Sequence, residues 1–137
     1  MPHQKLDLAC IIDDDNLYLK IVQRIIESKK LCKEIIIFKN GKDAIDHFKS
    51  IINDSNMKKI PDVIFLDLNM PIMDGWEFLD EFLKIPRSLK KRITLYVVSS
   101  SIDPRDINRA KSISLVEDYL IKPITYEELK KVFSAID

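Results

Sequence analysis

Apolar residues in this chain arrive as short unbroken runs that alternate with stretches of helical spacing. The first run, Leu8-Ala9-Cys10-Ile11-Ile12, stops abruptly at Asp13-Asp14-Asp15. An apolar run without polar alternation fits a strand covered on both faces, as in a parallel sheet. Leu17, Ile21 and Ile25 follow at four-residue spacing, and Val22 and Ile26 widen the stripe. Residues 16–29 therefore read as an amphipathic helix with that stripe facing inward, capped by Asp15 or Asn16. A second strand is predicted over 34–38. After the Asn40-Gly41 turn comes a helix over 42–52 that carries Ala44, Ile45, Phe48 and Ile52 inward. Residues 53–60 form a polar connection. The third strand spans 62–66, and the third helix spans 75–83 and must stop by Pro86. A fourth strand over 93–98, a short helix over 104–111 with proline in its first turn, a fifth strand over 118–121 and a closing helix over 126–136 complete the series.

Five strands thus alternate with five helices. Right-handed crossovers turn such an alternation into a parallel sheet with helices on both faces. Ligands of these sheets sit outside the carboxyl ends of the strands, so function is expected there. With 137 residues and no internal repeat, low-complexity tract or linker, residues 1–137 read as one domain with a core over about 6–136 and no effector domain.

Composition narrows the function classes. Lys+Arg 22 balances Asp+Glu 22, so bulk charge points to neither nucleic acid nor an anionic membrane. The 46% hydrophobic and 32% charged content is that of an ordinary globular chain. No apolar run approaches the roughly 18 residues needed to span a bilayer, and the first residues lack a secretory apolar stretch, so a cytoplasmic protein is expected. Cys10 in a strand pattern and Cys32 in a charged connection have no C-x-x-C spacing, which argues against a disulfide or a thiolate metal site. Cys10 reads as a small buried hydrophobe. His3 and His47 have no clustered ligands.

The residues just past the strands are Asp13 and Asp14, Asp67, Ser99 and Ser100, and Lys122-Pro123. Three carboxylates on one rim repel one another and raise each other's proton affinity unless cations compensate. A lysine and a hard divalent cation are the natural compensators. Mg²⁺ takes oxygen ligands and is typically held by one or two carboxylates plus a phosphate oxygen. A phosphoryl group added to one carboxylate would complete such a site, because phosphoryl transfer asks a protein mainly to position groups and neutralise charge.

Four segments, Ile11-Ile12-Asp13-Asp14-Asp15, Ile64-Phe65-Leu66-Asp67-Leu68-Asn69-Met70-Pro71-Ile72-Met73-Asp74-Gly75, Val97-Val98-Ser99-Ser100 and Tyr119-Leu120-Ile121-Lys122-Pro123-Ile124-Thr125, stand in order at predicted strand ends. In them the sequence resembles the receiver domain of two-component response regulators, the CheY-like family, over nearly its whole length. The resemblance implies a flavodoxin-like (βα)5 three-layer sandwich with strand order 2-1-3-4-5. It makes Asp67 the phosphoacceptor. Asp13, Asp14, Asp67 and the backbone carbonyl of Asn69 become ligands of Mg²⁺, and Lys122 contacts the phosphoryl group. Ser99 is the hydroxyl that follows it, chosen from three adjacent serines. Tyr119 is either plain packing or the aromatic rotamer that moves with Ser99 to change the face of the fourth helix, fifth strand and fifth helix. Lys122-Pro123 is a candidate cis peptide. Asn69 and Ser101 are where the family tunes dephosphorylation.

The implied protein takes its phosphoryl group from a histidine kinase or a histidine phosphotransfer protein. It signals to a protein target, as a monomer or a phosphorylation-dependent homodimer, and is not an enzyme beyond acting on its own phosphoryl group. Glu117 stands where the family often has glycine or alanine, which leaves the turn before the fifth strand open.

Other readings fit less well. An aspartate-nucleophile phosphohydrolase of the haloacid-dehalogenase type needs a general acid two residues beyond the nucleophile, and Asn69 has no carboxyl proton to give. A nucleotide or flavin module would carry a glycine-rich phosphate loop, whereas the only glycines are Gly41 and Gly75. Trp76, Met70 and Met73 read as packing residues, and Lys90-Lys91-Arg92 as a solvated approach to the fourth strand.

Overall fold

Unbroken apolar runs leave both faces of a strand needing cover, and the chain supplies that cover with helices on each side of one sheet. In a computed structural model, which describes residues 6–52 and 60–136, the order is β1 (Leu6–Ile12), α1 (Asn16–Ser28), β2 (Cys32–Phe38), α2 (Gly41–Ile52), β3 (Val63–Leu66), α3 (Gly75–Phe82), α4 (Arg87–Lys90), β4 (Thr94–Ser99), α5 (Pro104–Lys111), β5 (Val116–Ile121) and α6 (Tyr126–Ile136). The strands form one sheet in the order β2-β1-β3-β4-β5, and every pairing is parallel. His3 and most of the 53–60 connection lie outside the described residues.

Strand alternation divides the core in two. Cys10, Ile12, Ile64, Leu66, Leu95 and Val97 face one side, with Phe48 of α2, Phe78 and Phe82 of α3 and Ala110 of α5. Ala9, Ile11, Val63, Phe65 and Val98 face the other, with Val22 and Ile26 of α1 and Leu129 and Phe133 of α6. Burying an aliphatic or aromatic side chain of this size stabilises the fold by about 1.5–3 kcal/mol each. Cys10 and Cys32 are buried and unpaired. Among the described residues no helix is long and apolar enough to cross a membrane.

Several expectations are corrected. Leu17 and Ile21 do not face the core; they are 69% and 48% exposed, while Tyr18, Leu19, Val22 and Ile26 are buried. α1 carries two neighbouring apolar rows, and the sheet covers only one. In α2 the inward residue of the last turn is Ile51, and Ile52 is 42% exposed. Cys32 opens β2 instead of lying in a connection, and residues 87–90 form an additional one-turn helix after Pro86. β5 begins at Val116, two residues earlier than expected. A register shift between Leu95 and Tyr96 pairs Leu95 with Val116 and Tyr96 with Asp118, so Glu117 is the extra residue of a β-bulge. The bulge breaks the two-residue alternation, which places Val116 and Tyr119 on the same core face.

Candidate functional site

The carboxyl ends of β1, β3, β4 and β5 converge on one acidic pocket, and backbone bonds lock each end to its neighbour. The Asp13 N–H donates to the Phe38 carbonyl (2.9 Å), the Asp67 N–H to Ile12 (2.9 Å) and the Lys122 N–H to Ser99 (2.9 Å). Asp13 and Asp67 are buried, and Asp14 is exposed. The three offer carboxylate oxygens that lie within 4.8 Å of one another. Lys122 Nζ stands 2.9 Å from Asp13 Oδ2, 3.8 Å from Asp67 Oδ2 and 3.9 Å from Asp15 Oδ2. The Lys122-Pro123 peptide is cis. Asp15 is the N-cap of α1 and accepts from the Tyr18 N–H (3.2 Å).

Burial dominates the electrostatics. It pushes the Asp67 carboxyl up to about 6, with help from the Asp13 charge, against the Lys122 ammonium and the N–H groups of Leu68 and Asn69. Asp67 Oδ1 accepts from the Leu68 N–H at 2.8 Å. Burial also raises Asp13, more than Lys122 and the Asp15 N–H lower it. Asp13 Oδ2 is buried without a well-aligned hydrogen bond, although Lys122 stands at ion-pair distance. Three clustered hard oxygen donors, one of them short of a hydrogen bond, fit a hard divalent cation.

The serines separate by geometry. Ser99 is fully buried at the end of β4, and its Oγ accepts from the Ser101 N–H (3.1 Å). The Ser101 hydroxyl is committed to Asp106 Oδ2 (2.6 Å), and Ser100 is exposed. Tyr119 is buried, and its hydroxyl donates to the Ser101 carbonyl (2.8 Å). The β3–α3 loop, which holds Asn69, is braced by the Gly75 N–H bonded to the Leu68 carbonyl (3.0 Å) and by the Gly41 N–H bonded to the Met73 carbonyl (2.8 Å). Asp74 and Glu77 form a capping box at the start of α3. Met70, Met73 and Trp76 pack against the core, and the Arg109 guanidinium lies 4.0 Å from the Trp76 ring centroid. His47 packs between Phe38 and Phe48.

Sequence reasoning missed Tyr18, whose ring faces the Lys122 ammonium at 4.4 Å. The only signal was an aromatic residue three positions after the helix cap.

Known proteins resemble this chain in sequence and fold. The family model described as the response regulator receiver domain matches residues 9–134. The probable methanogenesis regulatory protein FilR2 of Methanothrix harundinacea is 31% identical over 94% of this chain and 80% of its own length. A two-component response regulator from Cytophaga hutchinsonii superposes with a TM-score of 0.85 at 29% identity, covering 97% of this chain and 98% of the other. A phosphorylated cyanobacterial phytochrome response regulator, RcpA, superposes with a TM-score of 0.74 at 27% identity, over 96% and 91%. With its strand order, its acidic pocket and this match from residue 9 to residue 134, the chain belongs to the response regulator receiver domain family.

Proposed function

We propose that Asp67 accepts a phosphoryl group from a histidine kinase or histidine phosphotransfer protein, and that the protein passes this change to a protein partner. The observation that carries the reading is the placement of Asp67. It is a buried carboxylate at the end of β3, clustered with Asp13 and Asp14 and 3.8 Å from Lys122. The phosphorylated state of the RcpA relative supports it.

In the transfer, a carboxylate oxygen of Asp67 bonds to phosphorus as the donor's P–N bond breaks. The electron pair of that bond stays on the departing imidazole. Asp13, Asp14, Asp67 and the Asn69 carbonyl would hold Mg²⁺, which supplies positive charge beside the phosphoryl oxygens. Lys122, already inside the pocket, supplies the second cation. The Ser99 hydroxyl, which donates to no acceptor among the described residues, would give its proton to a phosphoryl oxygen. A Ser99 drawn toward that oxygen would pull on Ser101, and through the Ser101 carbonyl on Tyr119. The consequence is a changed α5–β5–α6 surface, the face on which a partner would read the state. Asn69 and Ser101 would set how long the phosphoryl group lasts.

Incubation with acetyl phosphate and Mg²⁺ tests the reading. The expected product is an acid-stable, base-labile phosphoprotein that does not form without the metal. Full labelling of an Asp67→Asn variant would overturn the assignment.

A further inference from the structure

Lys122 is unusually confined for a lysine that must serve a changing charge. Its side chain is 13% exposed, and among the described residues its shortest carboxylate contact is Asp13 at 2.9 Å. Asp67 and Asp15 stand almost an ångström further away. The ring of Tyr18 also lies close, with its centroid 4.4 Å from Nζ. Tyr18 is 7% exposed in the first turn of α1, and its backbone N–H is tied to the Asp15 cap. Its hydroxyl is buried and finds no partner among the described residues. The face of the ring, not its polar tip, therefore meets the ammonium.

We propose that Tyr18 is a positioning residue for phosphoryl uptake, its ring face confining the Lys122 ammonium to the acidic pocket; this rests on the phosphoacceptor reading of Asp67. A hydrogen bond weakens steeply with distance and angle, whereas attraction to a ring face tolerates movement across it. On such a surface the ammonium can leave Asp13 for a phosphoryl oxygen on Asp67 without losing contact. An aliphatic residue in place of Tyr18 would give no attraction on that side. The ammonium could then turn toward Asp15, whose side chain is 49% exposed at the rim.

Tyr18→Phe keeps the ring and removes the hydroxyl, and Tyr18→Leu removes the ring. In the full chain with acetyl phosphate and Mg²⁺, labelling of Asp67 is expected within about twofold of wild type for Tyr18→Phe and slowed about fivefold for Tyr18→Leu. In a Lys122→Ala background, Tyr18→Leu should change the residual rate by less than about twofold, because the residue acts through Lys122. By NMR, the Lys122 ε-methylene protons are expected upfield of an unstructured lysine in wild type and in Tyr18→Phe. That readout stands even if Tyr18→Leu fails to fold.

Equal slowing by Phe and Leu, an undiminished effect of Leu without Lys122, or the lack of an upfield shift would each overturn the proposal. Failure of the wild type to label would instead overturn the phosphoacceptor reading, and the two failures are distinguishable because the methylene resonance needs no phosphodonor.

Discussion

The phenol of Tyr119 donates a 2.8 Å hydrogen bond to the carbonyl of Ser101, and the Ser101 N–H in turn donates to Ser99 Oγ. Two bonds therefore connect a ring on β5 to the hydroxyl at the end of β4. Tyr119→Phe keeps the buried ring and deletes the first bond. The expected cost is about 1 kcal/mol, seen as a fall of several degrees in thermal midpoint. Phosphoryl uptake by Asp67, which needs no partner face, should be little changed in the same variant.

Asp67 links stability to pH. Burial pushes its carboxyl up to about 6 in the folded protein, against about 3.9 in an unfolded chain. Between those values the folded state binds more protons, so stability falls as pH rises through the window and levels off above it. Asp13, raised by the same burial, acts in the same direction. In metal-free buffer, Asp67→Asn should match wild type near pH 4 and exceed it by about 1 kcal/mol at pH 7, allowing for solvent screening. Urea denaturation across pH measures this. Millimolar Mg²⁺ should stabilise wild type and reduce the difference.

Gly75 holds α3 against the Asp67 backbone. A Cβ on Gly75 would collide with the Asp67 carbonyl oxygen and lie 2.8 Å from the Leu68 Cα, both backbone atoms that cannot swing aside. Gly75→Ala should therefore destabilise the fold by about 2 kcal/mol or more, in the range of overpacked cores. It should also slow phosphoryl uptake, because relief requires Asp67 itself to move. Equilibrium unfolding and labelling rates check both effects.

Ile72 adopts φ 69°, the left-handed region that a β-branched residue enters at a cost of about 1–2 kcal/mol, and it is 79% exposed. Asparagine tolerates that conformation far better. Ile72→Asn is expected to stabilise the protein by about 0.5–1 kcal/mol, measured as a shift of the urea midpoint at constant slope.

Much of this protein is legible in its sequence. Apolar runs such as Ile64-Phe65-Leu66 require cover on both faces, and their alternation with helices leads to the parallel sheet. The chemistry also sits at fixed offsets, since Asp13, Asp67, Ser99 and Lys122 each end a strand or directly follow one. Packing, by contrast, depends on what lies across the gap. The row of Leu17 and Ile21 is as apolar as its neighbour, and only the position of the sheet decided that Leu19, Val22 and Ile26 go inside. Glu117 looked like a departure in a turn and is a bulge that turns Tyr119 into the core. The short helix after Pro86 carries no periodic signal in four residues.

Sequence alone determined the alternation of strands with the longer helices, the parallel topology and the set of groups on the rim, because these follow from local hydrophobic pattern and from where each strand stops. Tertiary structure alone decided the distances. It chose Asp13 as the close partner of Lys122, tied Tyr119 to Ser101, committed the Ser101 hydroxyl to Asp106 and brought the Tyr18 ring to the ammonium. Each of these depends on how residues far apart in the chain meet across strands and loops, and attractions between charges, dipoles and rings act through space with no trace in residue spacing.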